Sequence, residues 1–484
     1  MKKILFSHSY FLRFDPKQWE TGEPYAPLGT LYAAALMREH GYQVSLFDSM
    51  FAKTADEVLA AIHTYKPDFF VVYDDGFNYL TKMCLTNMRM AAFRMCKLAK
   101  ELGCTVIVSS SDSTDHYEKY LNEGVDFVLI GEAEVTLLEL ITALSSQEKF
   151  SGISGLAFAQ HGKVFKTSGR QVMKDLDALP FPAWDLIDME PYRLMWKSTK
   201  GFFSMNMGTT RGCPFKCNWC AKPIYGNRYN SRSPANVVEE LLWLSNRYRF
   251  DHIWFCDDIF GLKPGWVNEF ACLVEKEHLS FRFKIQSRAD LLVQENYIKA
   301  LKRAGCDNVW MGAESGSQKV LDAMDKGTTI EQIYTATRLL RRNDIKPSFF
   351  IQFGYLGETI EDIRKTIRMI NELLPHTIGI SVSYPLPGTV FYEKVKADLE
   401  NKSNWTDSDE LKLMFKNTYK PAFYKQLHRY VHAHFHRIKA GADLKSLCRQ
   451  PATLSLSKLD KVLKLPWYLA QEWVYLQKLE AVKS

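Results

Sequence analysis

Along the first 145 residues, short apolar runs alternate with longer stretches in which apolar side chains return every three or four positions. The runs at Ile4–Ser7, Val44–Phe47, Phe69–Tyr73, Thr105–Val108 and Phe127–Ile130 are too short for helices and predict buried strands. The stretches between them predict helices over Leu28–His40, Ala55–Tyr65, Met88–Leu102, His116–Asn122 and Val135–Leu144, and Gly41 and Gly103 stand where helices stop. Such a βα series predicts a doubly wound, Rossmann-like parallel sheet that binds ligands at the carboxyl ends of its strands.

Residues 146–200 read as a connector, with Lys163–Lys166 as a hairpin strand after a His161-Gly162 turn and Leu179-Pro180-Phe181-Pro182-Ala183-Trp184 interrupting regular structure. The alternation resumes over residues 201–395. Strands are predicted at Phe203–Gly208, His252–Cys256, Arg282–Gln286, Asn308–Gly312, Ser348–Phe353 and Ile378–Ser383, with helices such as Pro234–Tyr248 and Thr359–Leu374 between them. Six βα units predict a partial (β/α)6 TIM-like barrel with its chemistry at the C-terminal strand ends. Residues 396–484 show no strand pattern and predict a helical C-terminal domain, with Asp407 and Glu410 as a helix start. There, His428, His432 and His436 read as a solvated basic helix face, and Trp467, Tyr468, Trp473 and Tyr475 as core packing, with peripheral contact to a membrane as the alternative.

Composition narrows the class. The chain is 46% hydrophobic and 24% charged, as globular proteins are. A net charge of +7, read as spread along the chain, admits an anionic cofactor or membrane surface and does not call for nucleic acid. No apolar run is long enough to span a bilayer, and the charges close behind Leu5 and Phe6 fit a first strand rather than a secretory leader, so a cytoplasmic location is expected. Seven of the ten cysteines (Cys84, Cys96, Cys104, Cys256, Cys272, Cys306 and Cys448) lack framework spacing, which fits a reducing compartment.

The other three lie in Gly208-Thr209-Thr210-Arg211-Gly212-Cys213-Pro214-Phe215-Lys216-Cys217-Asn218-Trp219-Cys220, a C-x3-C-x2-C spacing directly after a predicted strand. A closed iron–sulfur cluster or zinc site takes four protein ligands. Three thiolates with no His or fourth Cys nearby leave one metal position open, as a reactive site needs. This segment, with aromatic Trp219 before the last cysteine, resembles the signature of the radical S-adenosylmethionine (SAM) superfamily. The resemblance implies a [4Fe-4S] cluster on Cys213, Cys217 and Cys220 that binds SAM and cleaves it reductively to a 5′-deoxyadenosyl radical. The electron would come from an external donor such as flavodoxin or ferredoxin.

The resemblance covers residues 201–395 and implies SAM contacts strand by strand. Asp257 and Asp258 stand where the family meets the methionine amino group, and Arg288 is offered to a carboxylate. Glu314, followed by Ser315 and Gly316, occupies the ribose position, and Gly354 opens the fifth-strand loop. Pro385-Leu386-Pro387-Gly388-Thr389 matches the sixth.

A doubly wound domain ahead of such a core resembles the cobalamin-binding class of the superfamily. The matching stretches are Pro27-Leu28-Gly29-Thr30-Leu31-Tyr32, Gly41-Tyr42-Gln43-Val44 and Gly131-Glu132-Ala133-Glu134, with Ser109 and Ser110 where relatives place glycines. They imply cobalamin contacts at Pro27, Leu28, Gly29, Ser109, Ser110, Gly131 and Glu132. No D-x-H-x-x-G motif occurs, which implies a corrinoid without a protein histidine below it. Tyr73-Asp74-Asp75-Gly76-Phe77-Asn78-Tyr79, after the third strand, reads equally as ligand contact or solvated loop. The class implies a C-methyltransferase acting on an unactivated carbon of a small organic or lipid-like substrate. The alternatives are an oxidative cyclase resembling the anaerobic magnesium-protoporphyrin ester cyclase, and a non-catalytic corrinoid or redox sensor. Methylthiotransferase chemistry would ask for three aligned cysteines in the first domain, which Cys84, Cys96 and Cys104 do not provide.

Overall fold

The structure, a computed structural model, describes residues 2–74, 76, 77, 82, 85–399, 402, 404–450 and 455–482. Lys3–Ser7 (β1), Gln43–Phe47 (β2), Phe69–Tyr73 (β3), Thr105–Ser109 (β4) and Phe127–Leu129 (β5) pair in parallel in the order β2-β1-β3-β4-β5. Their side chains alternate between two cores. Leu5, Phe70 and Val72 pack under Val58–Tyr65 (α2) and Thr86–Glu101 (α3). Ile4, Phe6 and Val71 pack under Leu28–Glu39 (α1) and Glu134–Ser145 (α4). Burial on both faces is why these strands read as continuous apolar runs. The strand order reverses between β1 and β3, the place where such sheets leave a crevice at the carboxyl ends.

The sheet does not stop at residue 145. Leu156–Gln160 (β6) pairs antiparallel with β5, and Lys163–Lys166 (β7) pairs antiparallel with β6. β6 escaped sequence reading because only its first three residues are buried.

The second sheet consists of Ser204–Met207 (β8), His252–Phe255 (β9), Arg282–Ser287 (β10), Cys306–Glu314 (β11), Lys346–Phe353 (β12) and Ile378–Val382 (β13). All pair in parallel, in chain order, so the barrel is partial and open. Every predicted strand of this series is present, and Pro234–Tyr248 (α5) is the predicted helix, capped by Ser233, whose hydroxyl accepts the Asn236 N–H.

The C-terminal region corrects three expectations. Asp407 and Glu410 start no helix: Glu410 binds Lys402 at 2.6 Å and accepts the Thr406 N–H, and Leu411 takes a left-handed φ of 47°. The helices there are Pro421–Arg449 (α6), Leu456–Leu463 (α7) and Leu465–Ala481 (α8). Of the three histidines read as a solvated face, His428 and His432 are half-buried and His436 is exposed with its ring stacked on Tyr468 at 5.3 Å. Trp467 and Trp473 are not core, being 54% and 64% exposed. No described helix is long and apolar enough to cross a membrane.

Candidate active site

The cysteine loop leaves the C-terminal end of β8 and is held from below by Asp257, just past β9. The Asp257 carboxylate accepts the N–H groups of Thr209 and Thr210 at 2.7 and 2.8 Å. Burial pushes its pKa up to about 6, against the pull of those bonds. Both oxygens are spent on the loop, so Asp257 positions the cysteines where sequence reading expected a ligand contact. Gly212 turns the chain into Cys213 with φ +78°, and a Cβ there would strike the Arg228 carbonyl oxygen, so only glycine fits.

Beyond Cys217 the loop is pinned from the far side of the barrel. The Asn218 side chain donates to Ala323 O and to the Asp325 carboxylate, both at 2.8 Å, and accepts from the Tyr355 hydroxyl at 2.7 Å. Arg288 stacks its guanidinium 3.7 Å above Phe215, donates to the Lys326 carbonyl at 2.8 Å and reaches the Cys217 sulfur at 3.8 Å. It therefore braces the loop and puts a positive charge beside a thiol. Cys213 is buried, whereas Cys217 and Cys220 are half-buried. Burial, and then the charge of Asp258, push the Cys220 thiol up to about 12.

The other expected contacts are also engaged. Asp258 pairs with Lys82 of the first domain at 2.8 Å. Glu314, at the end of β11 with φ 56°, pairs with buried Lys326 at 2.7 Å. Gly312 makes room for that pair, since a Cβ there would meet Lys326 Nζ at 2.6 Å. Ser315 and Gly316 bond to Thr366 and serve packing, and the Gly354 N–H donates to Glu358 at 2.7 Å. Trp219 lies beside the loop with its Nε1 buried and without a hydrogen-bond partner among the described residues.

Arg211, two residues before Cys213, joins the two sheets. It is 3% exposed, pairs with Glu134 at 2.7 Å and with Glu132, and lies over the rings of Tyr32 and Tyr225. Glu132 also accepts the Met173 N–H, so both of its oxygens help to tie the domains together. Gly208 lets Phe77 of the first domain approach β8, since a Cβ there would meet the ring at 2.7 Å. Thus the strand-end loops of the first sheet face the cysteine loop.

Gly131 donates to Thr114, and Ser110 caps Ser111–Asp115 by accepting the Ser113 N–H at 2.8 Å. Ser109 gives its carbonyl to the Asp74 N–H, while Asp74 accepts from Ser9 across the β1/β3 switch point. Pro27, Leu28 and Gly29 open α1, with Leu28 fully buried. Asp75, Asn78, Tyr79 and Cys84 lie outside the described residues. Cys96 and Cys104 are buried in the first domain, and burial raises both thiols.

The residues fit a thiolate-held cluster in donor chemistry: three thiols on one loop, a flanking guanidinium and a buried indole N–H with nothing to bind. Among the described residues, no three His, Cys, Asp or Glu side chains converge in a ready metal site. Sequence reading missed Arg211, Asn218, Lys326 and Lys82. Their partners are mostly far away in sequence and leave no local signal.

Residues 207–370 match the family model of the radical SAM superfamily. It is 29% identical over 386 residues to an uncharacterised methyltransferase of Pyrococcus horikoshii, covering 78% of this chain and 80% of the relative. It is 27% identical over 410 residues to the anaerobic magnesium-protoporphyrin IX monomethyl ester cyclase of Rubrivivax gelatinosus, covering 82% and 71%. Its fold is that of the cobalamin-dependent radical SAM enzyme OxsB, solved with aqua-cobalamin bound, with a TM-score of 0.75 at 15% identity over 99% of this chain and 72% of that one.

Proposed function

We propose that this chain is a cobalamin-dependent radical SAM methyltransferase that modifies an unactivated carbon of a small organic or lipid-like substrate. One juxtaposition carries the reading: Arg211 clamps the cysteine loop to Glu132 and Glu134, so the strand ends of a doubly wound domain open onto the three thiols. A cluster on Cys213, Cys217 and Cys220 and a corrinoid along the first sheet would supply, with SAM, a carbon-centred radical and a transferable methyl group. The chain's own residues do the positioning. Asp257, Asn218 and Arg288 fix the loop's height and tilt. Arg288 and Lys326 place positive charge near Cys217. Phe77, Tyr32 and Tyr225 wall the junction with apolar surface that excludes water. An external flavodoxin or ferredoxin would deliver the electron, and the free thiols suit a cytoplasmic setting.

The test is anaerobic incubation with SAM and a low-potential reductant. The reading expects 5′-deoxyadenosine, and none from Cys217→Ala. No nucleoside from the wild type would make the chain a binding module. The identity to the cyclase favours a second reading, and the product separates the two: methylation adds one carbon, whereas cyclisation adds a ring and no carbon.

A further inference from the structure

The charge excess is not spread along the chain. After Pro421 the only acids are Asp443, Asp460, Glu472 and Glu480, against eleven lysines and arginines, so residues 421–484 alone account for the net +7 and the remainder is balanced. Glu472 is matched by Arg437 and His434, and Asp460 by Lys464.

The same segment holds half of the large apolar side chains exposed among the described residues: Leu444, Leu459, Leu463, Trp467, Leu469, Trp473 and Val474. The others are single residues or a neighbouring pair dispersed over the rest of the chain, which is ordinary for a surface. Here they form a stripe. Leu459, Leu463, Trp467 and Val474 recur at steps of four and seven, and Leu469 and Trp473 lie on the other shoulder of the outward half of α8. Leu463 is 71% exposed and Trp473 64%. The opposite face of α8 is used internally. Tyr468 stacks on His436, Glu472 binds Arg437 and His434, and Leu479 is buried.

Lys458, Lys461 and Lys464 interleave with Leu459 and Leu463 along α7 and its end. Arg341, Lys346, His376 and Lys439, together with Asp344 and Asp443, line a cavity of about 420 Å³. Burial, together with Lys461, Arg341 and Lys346 and against the pull of Asp443, brings the Lys439 ammonium down to about 8.

We propose that α7 and α8 form a docking surface for an anionic lipid bilayer, with Trp467, Trp473, Leu463 and Leu469 inserted at the headgroup boundary and the surrounding lysines and arginines on the phosphates. Indole rings and apolar side chains on one helical face amid basic residues are what an interfacial helix presents. A helix that enters this way need not span the membrane. The inference stands on the C-terminal segment alone, independent of the chemistry at the cysteine loop.

The experiment is sedimentation of the full-length protein with phosphatidylcholine vesicles, with and without phosphatidylglycerol. In about 0.1 M salt, where the screening length is roughly 10 Å, the protein should pellet with the anionic vesicles only, and tryptophan emission should shift to the blue. At about 1 M salt, where that length is roughly 3 Å, binding should fall away. The double variant Trp467→Ser/Trp473→Ser should partition about tenfold more weakly with an unchanged circular dichroism spectrum. Failure to pellet with anionic vesicles, equal pelleting with both kinds, or full binding by the double variant would each overturn the proposal. So would a dimer of the wild type, by light scattering, that the double variant abolishes while neither binds vesicles, since the face would then belong to a second copy.

Discussion

Arg211 fastens the cysteine loop to the first domain, because its guanidinium neutralises two carboxylates of that domain out of reach of water. Arg211→Ala leaves Glu132 and Glu134 as uncompensated buried charges. The expected destabilisation is roughly 3–5 kcal/mol in a denaturant melt, with lysine a poor substitute for the two-pronged contact. Glu358 supplies a second residue-scale prediction. It is buried with one oxygen unpartnered, and burial pushes its pKa up to about 8. The folded state thus keeps a proton that the unfolded chain releases above its ordinary 4.5. Stability from this group is complete below that value and is lost as pH rises towards 8. Glu358→Gln should flatten that part of a stability–pH profile, and an unchanged slope would show that the carboxyl is ionised in the fold. The three cysteines were legible because their spacing is local. Arg211 was not, because the acids it serves lie 77 and 79 residues earlier.

At the scale of elements, apolar runs announced every strand buried on both faces, and periodicity announced the long helices. Failures fell where an element is short or its pattern is cut by solvent: β6, half exposed, and Gln318–Ala323, six residues that place Asp325 against Asn218. The misplaced helix start at Asp407 shows a local signal outvoted by a tertiary partner, since Lys402 takes the carboxylate that a capping box would use. α6 holds the element-scale prediction. Burial, then the charges of His432, Lys17, Arg429 and Lys425, lower His428 to about 2. Burial, then His436 and Lys17, lower His432 to about 3. Both rings are neutral in the fold and protonate in the unfolded chain near 6.5. Stability is therefore complete above that value and falls as pH drops towards 3. The contact of α6 with α8 should open first on acidification, read by Trp467 emission, and His428→Gln/His432→Gln should remove the acid limb. Acid opening unaltered in that variant would place the trigger elsewhere.

At the scale of the whole molecule, two sheets present the carboxyl ends of their parallel strands to one junction, tied by Arg211 to Glu132 and Glu134 and by Lys82 to Asp258. Neither sheet alone accounts for a cysteine loop that faces a doubly wound domain. The central claim is that this junction houses two cofactors, so the most direct measurement is cobalt and iron per chain after anaerobic purification from cells supplied with cobalamin. The account predicts cobalt near one and iron near four, with iron lost in Cys213→Ala and cobalt retained. Iron near four without cobalt would contradict the claim and reduce the first domain to a scaffold.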